Sequence, residues 1–127
     1  QELAALVDSH TNAQAAFAPW TPGFSIPDGT DIAVNATSVG FHPNAEATLD
    51  VDTSSFTSRM VVADVVANPP MTRWLQAAAD AGCTPLTGLG MLVNQALVNA
   101  RLWTGQTLNA DVMHRALEQA LEIEEKS

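Results

Sequence analysis

Apolar and polar positions along the chain fall into short apolar runs separated by longer segments with helical spacing. Residues 60–66 form a continuous run rich in β-branched side chains, which is typical of a parallel strand covered on both faces. Apolar runs at 31–35 and 84–87 predict two further strands, and the alanine-rich segment 13–17 predicts a weaker one. Because strands alternate with helices, the pattern predicts an α/β fold with a parallel sheet.

Four segments have helical spacing, namely residues 1–7, 73–81, 90–104 and 110–125. Residues that favour helix ends mark three of them. Thr72 and Asn109 precede the second and fourth helices and are placed to cap them. Gly82 and Gly105 follow the second and third helices and are placed to end them.

The third helix carries one polar residue in an otherwise apolar stripe. Met91, Gln95, Val98 and Leu102 fall on one face at intervals of four, three and four residues. Two interpretations of Gln95 stay open: its carboxamide hydrogen-bonds a neighbouring backbone group, or it binds the hydroxyls of a ligand.

Composition narrows the classes of protein to consider. A chain of 127 residues can bury one modest core, and its net charge of -9 argues against nucleic acid or anionic lipid as a partner. Since no run of 18 apolar residues occurs, no membrane span is predicted. The single cysteine, Cys83, excludes an internal disulfide and fits a reducing compartment, so a cytoplasmic location is predicted.

Three strand ends are polar or rich in glycine: residues 35–40, 64–68 and 87–90. The carboxyl ends of parallel strands meet at one edge of the sheet, where α/β proteins bind ligands. Asp64 either orients a ligand there or accepts hydrogen bonds from the backbone of the next loop. Gly88 and Gly90 lack the third glycine of a phosphate-binding loop, and the scattered histidines predict no metal site. These residues alone indicate a partial nucleotide-binding α/β domain.

Four motifs in order add a more specific signal. They are Asn35-Ala36-Thr37-Ser38-x-Gly40, Ala63-Asp64-Val65-Val66-x-Asn68-Pro69-x-x-Thr72, Gly88-x-Gly90-Met91-Leu92-Val93-x-Gln95 and Trp103-Thr104-Gly105. Together they resemble the C-terminal half of shikimate dehydrogenases, NADP-dependent enzymes that reduce 3-dehydroshikimate. The resemblance runs from about residue 31 to 105. It implies a partial Rossmann-type sheet with flanking helices, NADP or alternatively NAD as cofactor, and a small substrate of the shikimate or quinate class.

The resemblance also assigns residues to the site. It implies cofactor-binding roles for Asn35, Ala36, Thr37, Val65, Gly88 and Met91. In the family the Asn-Ala-Thr turn lies near the nicotinamide ribose, and the glycine and methionine border the nicotinamide. The glutamine of the third motif hydrogen-bonds the substrate, which assigns that role to Gln95.

The chain departs from the family at one position of the site. Typical members have a tyrosine that contacts the substrate carboxylate, and Ala67 stands at that position. The lost phenol removes a hydrogen bond worth about 1 to 3 kcal/mol if its partner is left unsatisfied. The exact substrate is therefore open, with quinate as one alternative to shikimate.

The family's catalytic lysine and aspartate, and its glycine-rich loop, precede the matched region. The chain also begins at Gln1 within a helical pattern, so we expect the N-terminal half to accompany it as a separate chain or as further sequence. Residues 1–105 would then be the C-terminal part of the dinucleotide-binding domain, without its first strands, and residues 106–127 a C-terminal helix. Such a fragment would expose strand edges and should not be stable alone. A non-catalytic nucleotide- or ligand-binding module derived from this fold is the alternative function.

Overall fold

The computed structural model describes the backbone of residues 1–125 and the side chains of residues 1–121. The α-helices in that part are α1 (Glu2–His10), α2 (Arg73–Asp80), α3 (Leu89–Thr104) and α4 (Ala110–Glu125). The strands are β1 (Phe24–Ser25), β2 (Ile32–Asn35), β3 (Val51–Asp52), β4 (Val61–Asp64) and β5 (Thr84–Leu86). Lys126 and Ser127, predicted as the end of the C-terminal helix, lie outside the described residues.

The main sheet has three parallel strands in the order β2-β4-β5. Its register sets Asn35 of β2 beside Asp64 of β4, so the polar ends of both strands lie side by side. A second, smaller sheet pairs β1 with β3, also in parallel. The predicted α/β fold with a parallel sheet and flanking helices is confirmed.

Local sequence determines where the helices begin and end. The hydroxyl oxygen of Thr72 accepts a hydrogen bond from the Leu75 amide, and the side-chain oxygen of Asn109 accepts one from the Val112 amide. Gly105 ends α3 with a φ of 72°, in the left-handed region that favours glycine. These predicted helix boundaries are confirmed.

The core lies between α2 and one face of the main sheet. Its most deeply buried apolar side chains are Met60, Val62, Leu75 and Ala78. Trp74 adds an edge-to-face contact with Phe56, with ring centroids 5.2 Å apart. The predicted inward stripe of α2, formed by Trp74, Leu75 and Ala78, is buried.

Two predictions for the first thirty residues are wrong. Residues 13–17 form no strand, because an alanine-rich segment has little side-chain area to pack on a sheet, and Phe17 is exposed. Residues 18–30 are predicted as loop throughout, but they contain the short strand β1, which forms by pairing with β3. Between residues 1 and 125, no helix is both long enough and apolar enough to cross a membrane.

Cys83 lies at the junction of α2 and β5 and belongs to the core. Its thiol donates a hydrogen bond to the Thr57 carbonyl at 3.2 Å. Burial raises the pKa of this thiol above its ordinary value of 9.0.

The raised pKa predicts a loss of stability in alkali. Above about pH 9 the unfolded chain releases the Cys83 proton before the folded chain does, so the free energy of unfolding should fall until the pH passes the folded-state pKa. Urea denaturation on both sides of that pH measures this slope. The control variant Cys83→Ala should flatten it, and the absence of tyrosine from the chain removes one competing titration. An equal slope in the variant would contradict the assignment.

Candidate functional site

The turn after β2 is organised by the buried side chain of Asn35. Its Oδ1 accepts hydrogen bonds from the Thr37 amide at 3.0 Å and the Thr37 hydroxyl at 2.7 Å. Its Nδ2 donates to both carboxylate oxygens of Asp64, at 3.1 and 3.2 Å, and to the Val39 carbonyl at 3.3 Å. The Asn35 side chain is thus used within the protein, while Ala36 and Thr37 are exposed at the tip of the turn.

Asp64 lies at the end of β4 and is only 4% exposed. Besides Asn35, its carboxylate accepts hydrogen bonds from the Val66 amide at 2.9 Å and the Thr72 hydroxyl at 2.6 Å. Of the two interpretations of Asp64, the structure therefore has the one in which it bonds the backbone of the next loop. It also joins the end of β2 to the start of α2.

Gly88, the residue before α3, is in very close contact with the loop after β4. A Cβ atom at this position would lie 2.6 Å from the Val66 carbonyl oxygen and 2.9 Å from that of Val65. Only glycine allows the two segments to approach so closely. The third strand end is thereby held against the second, as the sequence predicts.

A pocket of about 370 Å³ opens where these strand ends meet, and we call it the strand-end pocket. It is lined by Val34, Ala63, Asp64, Val65, Leu86, Thr87, Gly90, Met91 and Asn94. Its walls are mostly apolar, with Thr87 and Asn94 as uncharged polar groups and Asp64 as the one acid. An apolar slot with a few polar groups suits a flat ring that carries a polar substituent.

The predicted site residues divide between this pocket and a second cavity. Val65 and Met91 line the strand-end pocket, and Gly88 forms the close contact beside it. Asn35, Ala36 and Thr37 line a neighbouring cavity of about 230 Å³, and Val34 lines both.

Gln95 lies outside both linings and is exposed on α3. Asn94, which sequence reasoning missed, lines the strand-end pocket instead and donates a hydrogen bond to the Gly90 carbonyl at 2.8 Å. Its position three residues after Met91 was the signal that could have found it.

Comparison with known proteins places this geometry in a family. Residues 88–118 match the family described as shikimate 5'-dehydrogenase C-terminal domain. A shikimate dehydrogenase (NADP(+)) from Methanopyrus kandleri is 41% identical over 87 residues, which are 68% of this chain and 30% of that protein. The chain belongs to the shikimate dehydrogenase family.

Solved structures agree with this membership. The ligand-free 5-ketofructose reductase of Gluconobacter sp. strain CHM43 matches with a TM-score of 0.84 and 47% identity, over 94% of this chain and 43% of that one. A shikimate dehydrogenase in complex with NADP+ matches with a TM-score of 0.71 and 36% identity, over 74% of this chain and 33% of that one. Both likenesses confirm the partial Rossmann-type fold. The chain spans less than half the length of these relatives.

For this member of the shikimate dehydrogenase family, the contact at Gly88 predicts that alanine substitutions at Gly88 and Gly90 have very different effects on stability. Gly88→Ala should destabilise the protein by about 1 to 3 kcal/mol, because the new methyl group meets backbone oxygens that side-chain motion cannot move. Gly90 has open space around its Cα, so Gly90→Ala should be neutral or stabilise α3 by up to about 1 kcal/mol. Urea denaturation of both variants measures the difference. Equal effects would contradict the proposed tight contact at Gly88.

Proposed function

We propose that this chain is the C-terminal cofactor-domain part of an oxidoreductase that transfers hydride between NADP and the carbonyl carbon of a small polyhydroxylated ketone. NAD is the alternative cofactor. The observation that carries the proposal is the strand-end pocket, formed at the carboxyl ends of parallel strands in a chain whose relatives are named as NADP(+) dehydrogenases.

The residues at this pocket fit a nicotinamide ring. Met91 is half exposed and offers an apolar wall beside Val65, and Gly90 leaves open space above it. Gly88, Val65 and Met91 would border the ring, and the turn of Asn35, Ala36 and Thr37 would lie near the ribose. When bound, the nicotinamide supplies or accepts the hydride, and the protein's part is to hold it in place and exclude water.

Gln95 is the group proposed to hold the substrate. It lies one helical turn after Met91 on the same exposed face of α3. No hydrogen-bond partner for its side chain occurs among residues 1–121. Its carboxamide therefore has two donors and an acceptor free for substrate hydroxyl groups.

A neutral ketose of the 5-ketofructose type is the first candidate substrate. The likeness to the 5-ketofructose reductase extends over 94% of the chain, against 74% for the shikimate dehydrogenase complex. Ala67 supports the same choice, since it lacks the phenol with which typical shikimate dehydrogenases contact a carboxylate, and a ketose has no carboxylate. Shikimate or quinate is the second candidate, favoured by the four motifs and by the family match.

A further part of the proposal is that the catalytic lysine and aspartate come from an N-terminal half outside this chain. In the described part of the main sheet, β2 pairs with β4 alone, and its side chains Ile32 and Val34 are 64% and 54% exposed. Such an edge favours pairing with another strand. The non-catalytic binding module is the rival, and an intact mass with N-terminal sequencing of the purified protein separates the two.

The activity test uses the protein expressed from its complete coding sequence. With NADPH we expect reduction of 5-ketofructose to exceed reduction of 3-dehydroshikimate. With NADP+ we expect oxidation of quinate to be slow. Nicotinamide absorbance follows each reaction, and NADH in place of NADPH tests the cofactor. NADP+ binding without turnover of any of these substrates would favour the binding module, and the absence of both would overturn the proposal.

Position 67 gives a sharper test of substrate class. If Ala67 has removed a carboxylate contact, Ala67→Tyr should raise kcat/KM for shikimate about tenfold, the effect of one hydrogen bond to a charged group. The same variant should leave kcat/KM for the neutral ketose unchanged or lower. Ala67→Phe is the matched control, because it adds the ring without the hydroxyl. Equal shikimate activity in the two variants would contradict this role for position 67.

A further inference from the structure

One buried carboxylate ties together the segments that form both cavities. Asp64 accepts hydrogen bonds from the β2 turn through Asn35, from its own loop through the Val66 amide, and from the start of α2 through Thr72. Within residues 1–121 it forms no ion pair, and neighbouring Arg73 instead pairs with Glu46. The charge is stabilised by hydrogen bonds and by the N-terminus of α2.

The hydrogen bonds of Asn35 define what this residue can do. Its Oδ1 is occupied by two donors from Thr37, and its Nδ2 by Asp64 and Val39. It is also only 2% exposed. Its side chain therefore has no group available to a ligand, whereas the adjoining residues Ala36 and Thr37 are exposed.

We infer that Asp64 and Asn35 are positioning residues. They hold the turn at Ala36 and Thr37 in the position where it contacts the cofactor, and neither of their own side chains contacts the cofactor. This inference rests on the proposed function. It replaces the direct contact expected of Asn35 with an indirect one. Since a small misplacement of a reacting group lowers rates steeply, loosening this network should affect cofactor binding and hydride transfer together.

The test breaks the pair and then restores it with exchanged roles. In Asp64→Asn one of the two oxygens that accept from the Asn35 amide becomes an NH2 group, so one of the two hydrogen bonds is replaced by a donor facing a donor. The double variant Asn35→Asp with Asp64→Asn restores a donor opposite an acceptor between these two positions, and loses the hydrogen bond from position 35 to the Val39 carbonyl. Asp80→Asn is the matched control, because Asp80 is an exposed carboxylate of α2 bonded to Gln76, at the opposite end of that helix from Thr72.

Three measurements on the complete protein follow each variant: the Kd of NADP+ by calorimetry, kcat with its isotope effect from NADPH deuterated at the transferred position, and the melting temperature. We expect Asp64→Asn to raise the Kd about tenfold and lower kcat by about 10- to 100-fold, with a larger isotope effect. A purely structural role would reduce the active fraction and leave the isotope effect unchanged. The double variant should recover part of the loss in Kd and part of the loss in kcat, and Asp80→Asn should have the values of the parent protein.

Several results would overturn the inference. A folded Asp64→Asn variant with unchanged Kd and kcat would do so, as would a folded double variant no better than the single one. If Asp64→Asn does not fold, the double variant decides: recovery of NADP+ binding supports the inference, and failure to fold or bind refutes it. If the parent protein binds no NADP+, both the proposed function and this inference are wrong. If the parent is active and Asp64→Asn has the same Kd and kcat, this inference alone is wrong.

Discussion

The buried charge of Asp64 is the constraint on which the site depends. An unpaired carboxylate in the interior is costly unless donors surround it. Here the donors come from β2, from the loop after β4 and from the start of α2. These segments must therefore meet at one point, and the parallel register that sets Asn35 beside Asp64 is part of the same arrangement. The polar network thus fixes the geometry of the strand ends more tightly than apolar packing alone would.

The two faces of the main sheet have different roles, and successive side chains of β4 point to opposite faces. Val62 points to the face covered by α2 and is completely buried in the core. Ala63, on the other face, is aligned with Val34 of β2 and Leu86 of β5, and all three line the strand-end pocket. The small alanine in the middle of this row leaves room above the sheet. One face therefore supplies stability, and the other supplies the cavity.

Much of this arrangement could be predicted from the sequence, and the exceptions have physical reasons. The β-branched run of β4 and the capping residues of α2 are strong local signals, and both are confirmed. The segment 13–17 is not a strand, because its weak β preference finds no partner to pair with. The inward orientation of Asn35 could not be predicted from the sequence, because an asparagine at a strand end has the same sequence context whether it faces a ligand or a buried carboxylate. Only the register between β2 and β4 distinguishes the two.

Under the proposed function, the same network explains how substrate class could change within this fold. Asp64, Thr72 and Gly88 are fixed by contacts with other parts of the chain, so replacing them disturbs the strand ends themselves. Ala67 lies in the same loop, yet its methyl group offers no polar atom to this network. The side chain of Ala67 takes part in neither the carboxylate network nor the tight contact at Gly88. Under the proposed function, cofactor positioning would rest on the carboxylate network and the Gly88 contact, and substrate choice on position 67, whose side chain belongs to neither.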